Sequence, residues 1–200
     1  MADRRRRRKQ RPKQPGTPGR REAPGRAAGA ARPVTSALVV NGWTLLFWIS
    51  FRERWGAILD ATAHARARDP EEYIHEPVVK LFRTVRDLVF KDIPANPDHP
   101  RFRQGKTLGG PHSHWRRAKF HQRFRLFFRF HAASHSIVYA WLNDENTLRK
   151  EGSQTDPYAV FQKMLERGAP PSDWEALMRA CETARVDDAG YRALGYTIKP

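Results

Sequence analysis

The chain has 200 residues and a formal net charge of +16, and its 40% apolar content can fill the core of one ordinary domain. The first 33 residues hold twelve Lys/Arg against Asp3 and Glu22, so +10 sits there and +6 remains on the body, a balance that points to polyanionic partners, above all nucleic acid. A single cysteine, Cys181, excludes an intrachain disulfide framework and a four-cysteine zinc site, and it fits a reducing, cytoplasmic setting.

Residues 1–33 are Arg, Pro, Gly and Ala with almost no large apolar side chain. They cannot bury enough surface to offset ordering entropy and are expected to be a disordered basic extension. Val34 to Phe51 is uncharged and mimics a signal peptide or an anchor. Asn41-Gly42 interrupts it, and Arg52-Glu53-Arg54 follows where a cleavage site would stand. It reads better as a buried strand or loop entering a folded domain over 34–185, with a tail over 186–200 and no membrane contact.

Phe51, Trp55, Ile58 and Leu59 predict a helix over about 50–67. Asp69-Pro70-Glu71-Glu72 is a helix start, followed by a stripe of Ile74, Val78, Leu81, Val85 and Leu88 that Pro77 either kinks or restarts. Pro94 and Pro97 end it, and residues 94–114 form a glycine-containing loop. Three strands are predicted at about 115–120, 123–130 and 136–142, as an antiparallel meander. Asp156-Pro157 starts a short helix bearing Phe161, Met164 and Leu165 and ended by Gly168. Ser172-Asp173-Trp174-Glu175 reads as a capping box for a last helix with Leu177, Met178 and Cys181.

The strands carry the chemistry. Side chains alternate faces with period two, so Phe124, Leu126, Phe128 and Phe130 share one face of the second strand. Arg123, Arg125, Phe127 and Arg129 share the other. One face can bury a core while the other offers cations and a ring to a phosphate backbone and a base. With Arg116, Arg117 and Lys119 the basic set is dense, and clustered like charges cost stability unless an anion visits.

His112, His114, His121, His131 and His135 invite a metal reading, but the His131–His135 pair falls in a turn rather than a helix, so no metal is expected. His121 remains a candidate acid or base. Gly105-Lys106-Thr107 lacks the rest of a phosphate-binding loop, which leaves Lys106 as a lone phosphate contact. Asn143 to Lys150 is a polar run that returns Arg149 beside the sheet, with Tyr158 on the next helix start.

Together these segments resemble the YhaV toxins of the PrlF–YhaV type II toxin–antitoxin systems, within the RelE/ParE superfamily. The resemblance rests on Val40-Asn41-Gly42-Trp43, Gly105 to Gly109, Trp115 to Phe120, Arg123 to Arg129 and Trp141 to Arg149. It continues through Thr155 to Phe161, Lys163 to Leu165, Gly168 to Pro171 and Asp173-Trp174-Glu175, spanning about 39–178. The basic extension and the end beyond about 185 depart from it. The resemblance implies an α+β, RelE-like fold, with N-terminal helices packed on an antiparallel sheet and C-terminal helices beside it. It implies an mRNA interferase that needs no cofactor, cuts mRNA on the ribosome, is neutralised by a PrlF-type antitoxin and represses its own operon by binding operator DNA as the complex. Placed by motif, the implied catalytic residues are Lys119, Arg125, Arg149 and Tyr158.

The expected reaction is transfer of the phosphodiester to the RNA's own 2′-hydroxyl, which needs a base, cations for the phosphorane and an acid for the 5′-oxygen. Lys119 or His121 is the candidate base, Arg125 and Arg149 the candidate stabilisers, and Tyr158 or Trp141 a base-stacking ring. Lys106, Arg116, Arg117, Arg123 and Arg129 are candidate RNA contacts. The residues leave two rival readings: a non-catalytic RNA- or ribosome-binding module, and a gyrase-poisoning toxin on the same fold.

Overall fold

The computed structural model describes residues 38–105 and 107–183. The expected basic extension, the tail over 186–200 and Lys106 lie outside the described residues.

The uncharged run near the start forms a hairpin. Strand β1 (Val39–Val40) pairs antiparallel with β2 (Trp43–Phe47) around Asn41 and Gly42, whose φ values of 49° and 78° are the left-handed pair that a two-residue hairpin turn requires. Leu45 and Leu46 point to opposite faces of the sheet and both are buried, which explains why the run carries no charge. Among the described residues, no helix is long and apolar enough to cross a membrane.

Helix α1 (Ile49–Arg68) buries Phe51, Trp55, Ile58, Thr62 and Ala65, the 4-3-4-3 stripe of a helix lying on a sheet. The predicted second helix starts later than expected. Asp69 does accept from the Glu72 amide at 3.0 Å, but a turn and a single 3-10 turn at Tyr73–His75 follow. Helix α2 (Pro77–Asp87) begins only at Pro77, because the residue before a proline is driven out of the helical region; Glu76 has ψ 139°. α2 then runs through a π-turn at Leu88–Asp92 into the short α3 (Ile93–Ala95).

The meander is as predicted: β3 (Arg116–Phe120), β4 (Phe124–His131) and β5 (Ser136–Leu142) are successive antiparallel neighbours. β2 extends it by pairing parallel with β5, giving the order β1-β2-β5-β4-β3, and β6 (Glu182–Thr183) pairs with β2. Helix α4 (Pro157–Glu166) is capped by Asp156, and α5 (Trp174–Ala180) by Asp173. The last helix therefore starts one residue later than a Ser172 capping box would place it.

Both sheet faces are covered. Leu126, Phe128, Ile137 and Tyr139 pack under α1 and α2, with Phe124 and Phe130 against them, as the alternation predicts. On the other face, Phe127, Val138 and Ala140 pack under Phe161, Leu165 and Leu177 of α4 and α5. The C-terminal helices thus lie on the second face rather than beside the sheet. Phe127 is fully buried and stacks on Phe161 at 4.3 Å, which corrects the expectation that its ring is offered to a base. A shift of register between Phe127 and Phe128 leaves Ala140 as an extra residue of β5, so Ala140 and Trp141 both face α4.

Candidate active site

On the sheet face covered by α4, the basic residues gather at the end where β3 turns into β4. Lys119 and Arg125 are direct cross-strand partners, and Arg117 stands two residues before Lys119 on the same face. Tyr158, in the first turn of α4, reaches into this group. The Arg117 Nε donates to Tyr158 Oη at 2.6 Å. The guanidinium carbons of Arg149 and Arg125 lie 5.2 and 5.9 Å from the centre of the Tyr158 ring. Three guanidinium groups therefore converge on one buried phenol, with the exposed Lys119 at the rim.

Each cation is held by the fold. Arg117, only 8% exposed, also donates to the Arg101 carbonyl at 3.2 Å. Arg125 is 6% exposed and donates to the carbonyls of Gln122 and Phe124 at 2.9 and 2.7 Å, tying down the β3–β4 turn. Its Nε is buried without a hydrogen-bond partner, a donor at the site that the fold does not satisfy.

Arg149 is positioned by the polar run after β5. Asn143, fully buried, accepts from the Arg125 amide at 2.6 Å and donates to the carbonyls of Thr147 and Arg123 at 2.9 and 3.3 Å. Asp144 and Thr147 cap a single 3-10 turn reciprocally. The Arg149 amide then donates to the Arg123 carbonyl at 3.0 Å, and Arg123 Nε returns a bond to the Arg149 carbonyl at 3.2 Å. The Arg149 guanidinium donates to Asp156 and lies 3.3 Å from the Glu151 carboxylate.

The other candidates are scattered. His121 bonds Thr84 of α2 at 2.9 Å and packs against Phe120 and Phe124, whose rings belong to the α1–α2 side. Arg116 pairs with Asp98 at 3.0 Å and lies over Phe130. Arg129 donates to the Ser172 carbonyl at 2.6 Å and lies over Trp174, which fastens α5 to the sheet. Trp141, half-buried, stacks on Phe127 and Phe161. The sheet thus brings Arg117, Lys119, Arg125, Arg149 and Tyr158 together and leaves His121, Arg116 and Arg129 outside that group.

Two residues that hold the group are not read as site residues from the sequence alone. Asn143 is one position in a polar run. Asp156 is read there only as a helix cap, yet it also takes the Arg149 guanidinium.

His112 and His114 lie together, ring centroids 6.4 Å apart, but among the described residues no three His, Cys, Asp or Glu side chains gather as metal ligands. Burial, then Arg129, His112 and Arg116, push the His114 imidazole down to about 4 from 6.5. A neutral His114 contributes stability that is complete above pH 6.5 and is lost as pH falls toward 4, because the unfolded chain takes up the proton first. Denaturant titrations across this window should show a shallower loss for His114→Gln than for the native chain. Identical slopes would remove His114 from the account.

A polar hub surrounded by guanidinium groups, on an α+β scaffold of the class expected for RelE-like toxins, is suited to gripping a phosphodiester. Residues 45–182 match the model of the YhaV toxin family, described as a toxin with endonuclease activity, of toxin–antitoxin systems, and the chain belongs to that family. It is 44% identical over 145 residues to the ribonuclease toxin YhaV of Escherichia coli strain K12, covering 72% of this chain and 94% of that protein. It has the same identity and coverage with the toxin YhaV of Escherichia coli O157:H7, and is 43% identical to that of the O6:H1 strain CFT073. No solved structure matches the chain. An endonuclease toxin is what the family defines, so the non-catalytic rival is set aside.

Proposed function

We propose that the chain is a ribonuclease of the mRNA interferase type, cutting mRNA on the ribosome in the cytoplasm, restrained by a PrlF-type antitoxin with which it represses its own operon. The observation that carries the nuclease reading is the convergence of Arg117, Arg125 and Arg149 on Tyr158, next to Lys119. The name of the 44% identical relative supports RNA as the substrate.

In this mechanism Lys119 takes the proton of the 2′-hydroxyl, which attacks the adjacent phosphorus. Arg125 and Arg149 face the charge that gathers on the non-bridging oxygens. Tyr158 is too buried to stack a base, but its hydroxyl accepts from Arg117 and keeps a proton to give. That proton goes to the departing 5′-oxygen, leaving a 2′,3′-cyclic phosphate and a 5′-hydroxyl, and both groups re-equilibrate with solvent. His121, bonded to Thr84 on the α2 side, is not used. Trp141 remains the ring for a neighbouring base, and ribosomal RNA supplies part of the positioning.

Inducing the chain in cells should stop growth and create new 5′-hydroxyl ends within coding sequences, and co-expression of a PrlF-type antitoxin should abolish both. Mapping RNA 5′ ends after induction checks this. Growth arrest with intact mRNA and broken DNA would favour gyrase poisoning instead.

A further inference from the structure

Two carboxylates touch the Arg149 guanidinium, and they differ sharply in exposure. The Asp156 side chain is 6% exposed, the Glu151 side chain 92%. Asp156 is committed on every side: one oxygen accepts from the Tyr158 amide at 3.0 Å, the other from the Lys150 amide at 3.0 Å and from Arg149 itself. Glu151 touches Arg149 only across 3.3 Å at the surface, where an ion pair is worth little and exchanges readily.

We infer that the two acids divide the work at the site. Asp156 is a positioning residue: one buried carboxylate fixes both the start of the helix carrying Tyr158 and the guanidinium of Arg149, so that both reach the same phosphate. Glu151 is a placeholder that occupies the outward side of Arg149 until a substrate phosphate displaces it. The inference rests on the phosphodiester-cleaving site proposed above. Its physical basis is that three guanidinium groups around one ring repel one another, and a buried carboxylate offsets this without occupying the solvent side where RNA must enter. An exposed carboxylate there can only compete with phosphate.

Two substitutions separate the roles, assayed on the purified full chain with a labelled mRNA presented on ribosomes. Asp156→Asn keeps an oxygen that caps the Tyr158 amide, so α4 should persist. It loses the charge that fixes Arg149. Its kcat should fall about 100-fold, as for a misplaced catalytic group, with KM little changed. Glu151→Gln should lower KM about two- to five-fold, the range of a surface ion pair, with kcat nearly unaltered.

The inference is overturned if Asp156→Asn turns over at the native rate, if its lost activity merely follows a lost folded fraction in a parallel thermal melt, or if Glu151→Gln leaves KM unchanged or raises it. Arg149→Ala and Tyr158→Phe, run alongside, tell this failure from that of the site itself. If both cut at the native rate, the site reading fails and takes the inference with it. If both are slow while Asp156→Asn is fast, only the positioning role falls.

Discussion

Arg149→Ala and Arg125→Ala should each slow RNA cleavage roughly 100- to 1000-fold, the loss seen when one preorganised donor to a developing oxyanion is removed. RNA or ribosome association should weaken far less, since one phosphate contact among several is lost. Both variants carry a structural side effect, for different reasons. Arg149 is partly exposed, but its removal leaves the buried Asp156 carboxylate on two backbone amides without its cation, so stability should also fall. Arg125 is buried and fastens the carbonyls of Gln122 and Phe124, so its removal should also lower stability, by about 1–3 kcal/mol for carbonyls left short of donors. Cleavage rate, ribosome association and thermal melting should be read together, with Arg52→Ala on the exposed side of α1 as the reference. Native cleavage rates in both variants would move the active site elsewhere.

The second large effect is on stability. Asn143→Ala removes the acceptor of the Arg125 amide and the donor to the Thr147 and Arg123 carbonyls, all at a position with no solvent access. The Arg123 carbonyl keeps the Arg149 amide, so two groups lose their partner outright. At about 1–3 kcal/mol for each buried unsatisfied group, the loss should be about 2–5 kcal/mol, or a melting temperature lower by roughly 5–15 °C for a domain of this size. Because the same amide links β4 to the segment that presents Arg149, cleavage should fall even at temperatures where the variant is folded. A melting temperature within about 2 °C of native would show that the run after β5 does not depend on this clamp.

Local patterns determined much of this protein. Period-two alternation assigned the sides of β4 and Asp156-Pro157 marked the start of α4, because each is a short-range consequence of backbone geometry, whereas Asn41-Gly42 was read only as a break in the uncharged run and the structure makes it a hairpin turn. The motif runs also pointed to Lys119, Arg125, Arg149 and Tyr158, which the fold does gather. Tertiary structure decided what lies on top of what. The alternation of β4 cannot say that α4 returns over the cationic face and buries Phe127. Nor can it say that His121 turns toward Thr84 on α2, or that Asp156 answers Arg149 as well as its own helix. Those pairings join residues far apart in the chain or elements whose packing depends on the whole core, and periodicity carries no information about which distant face will cover which.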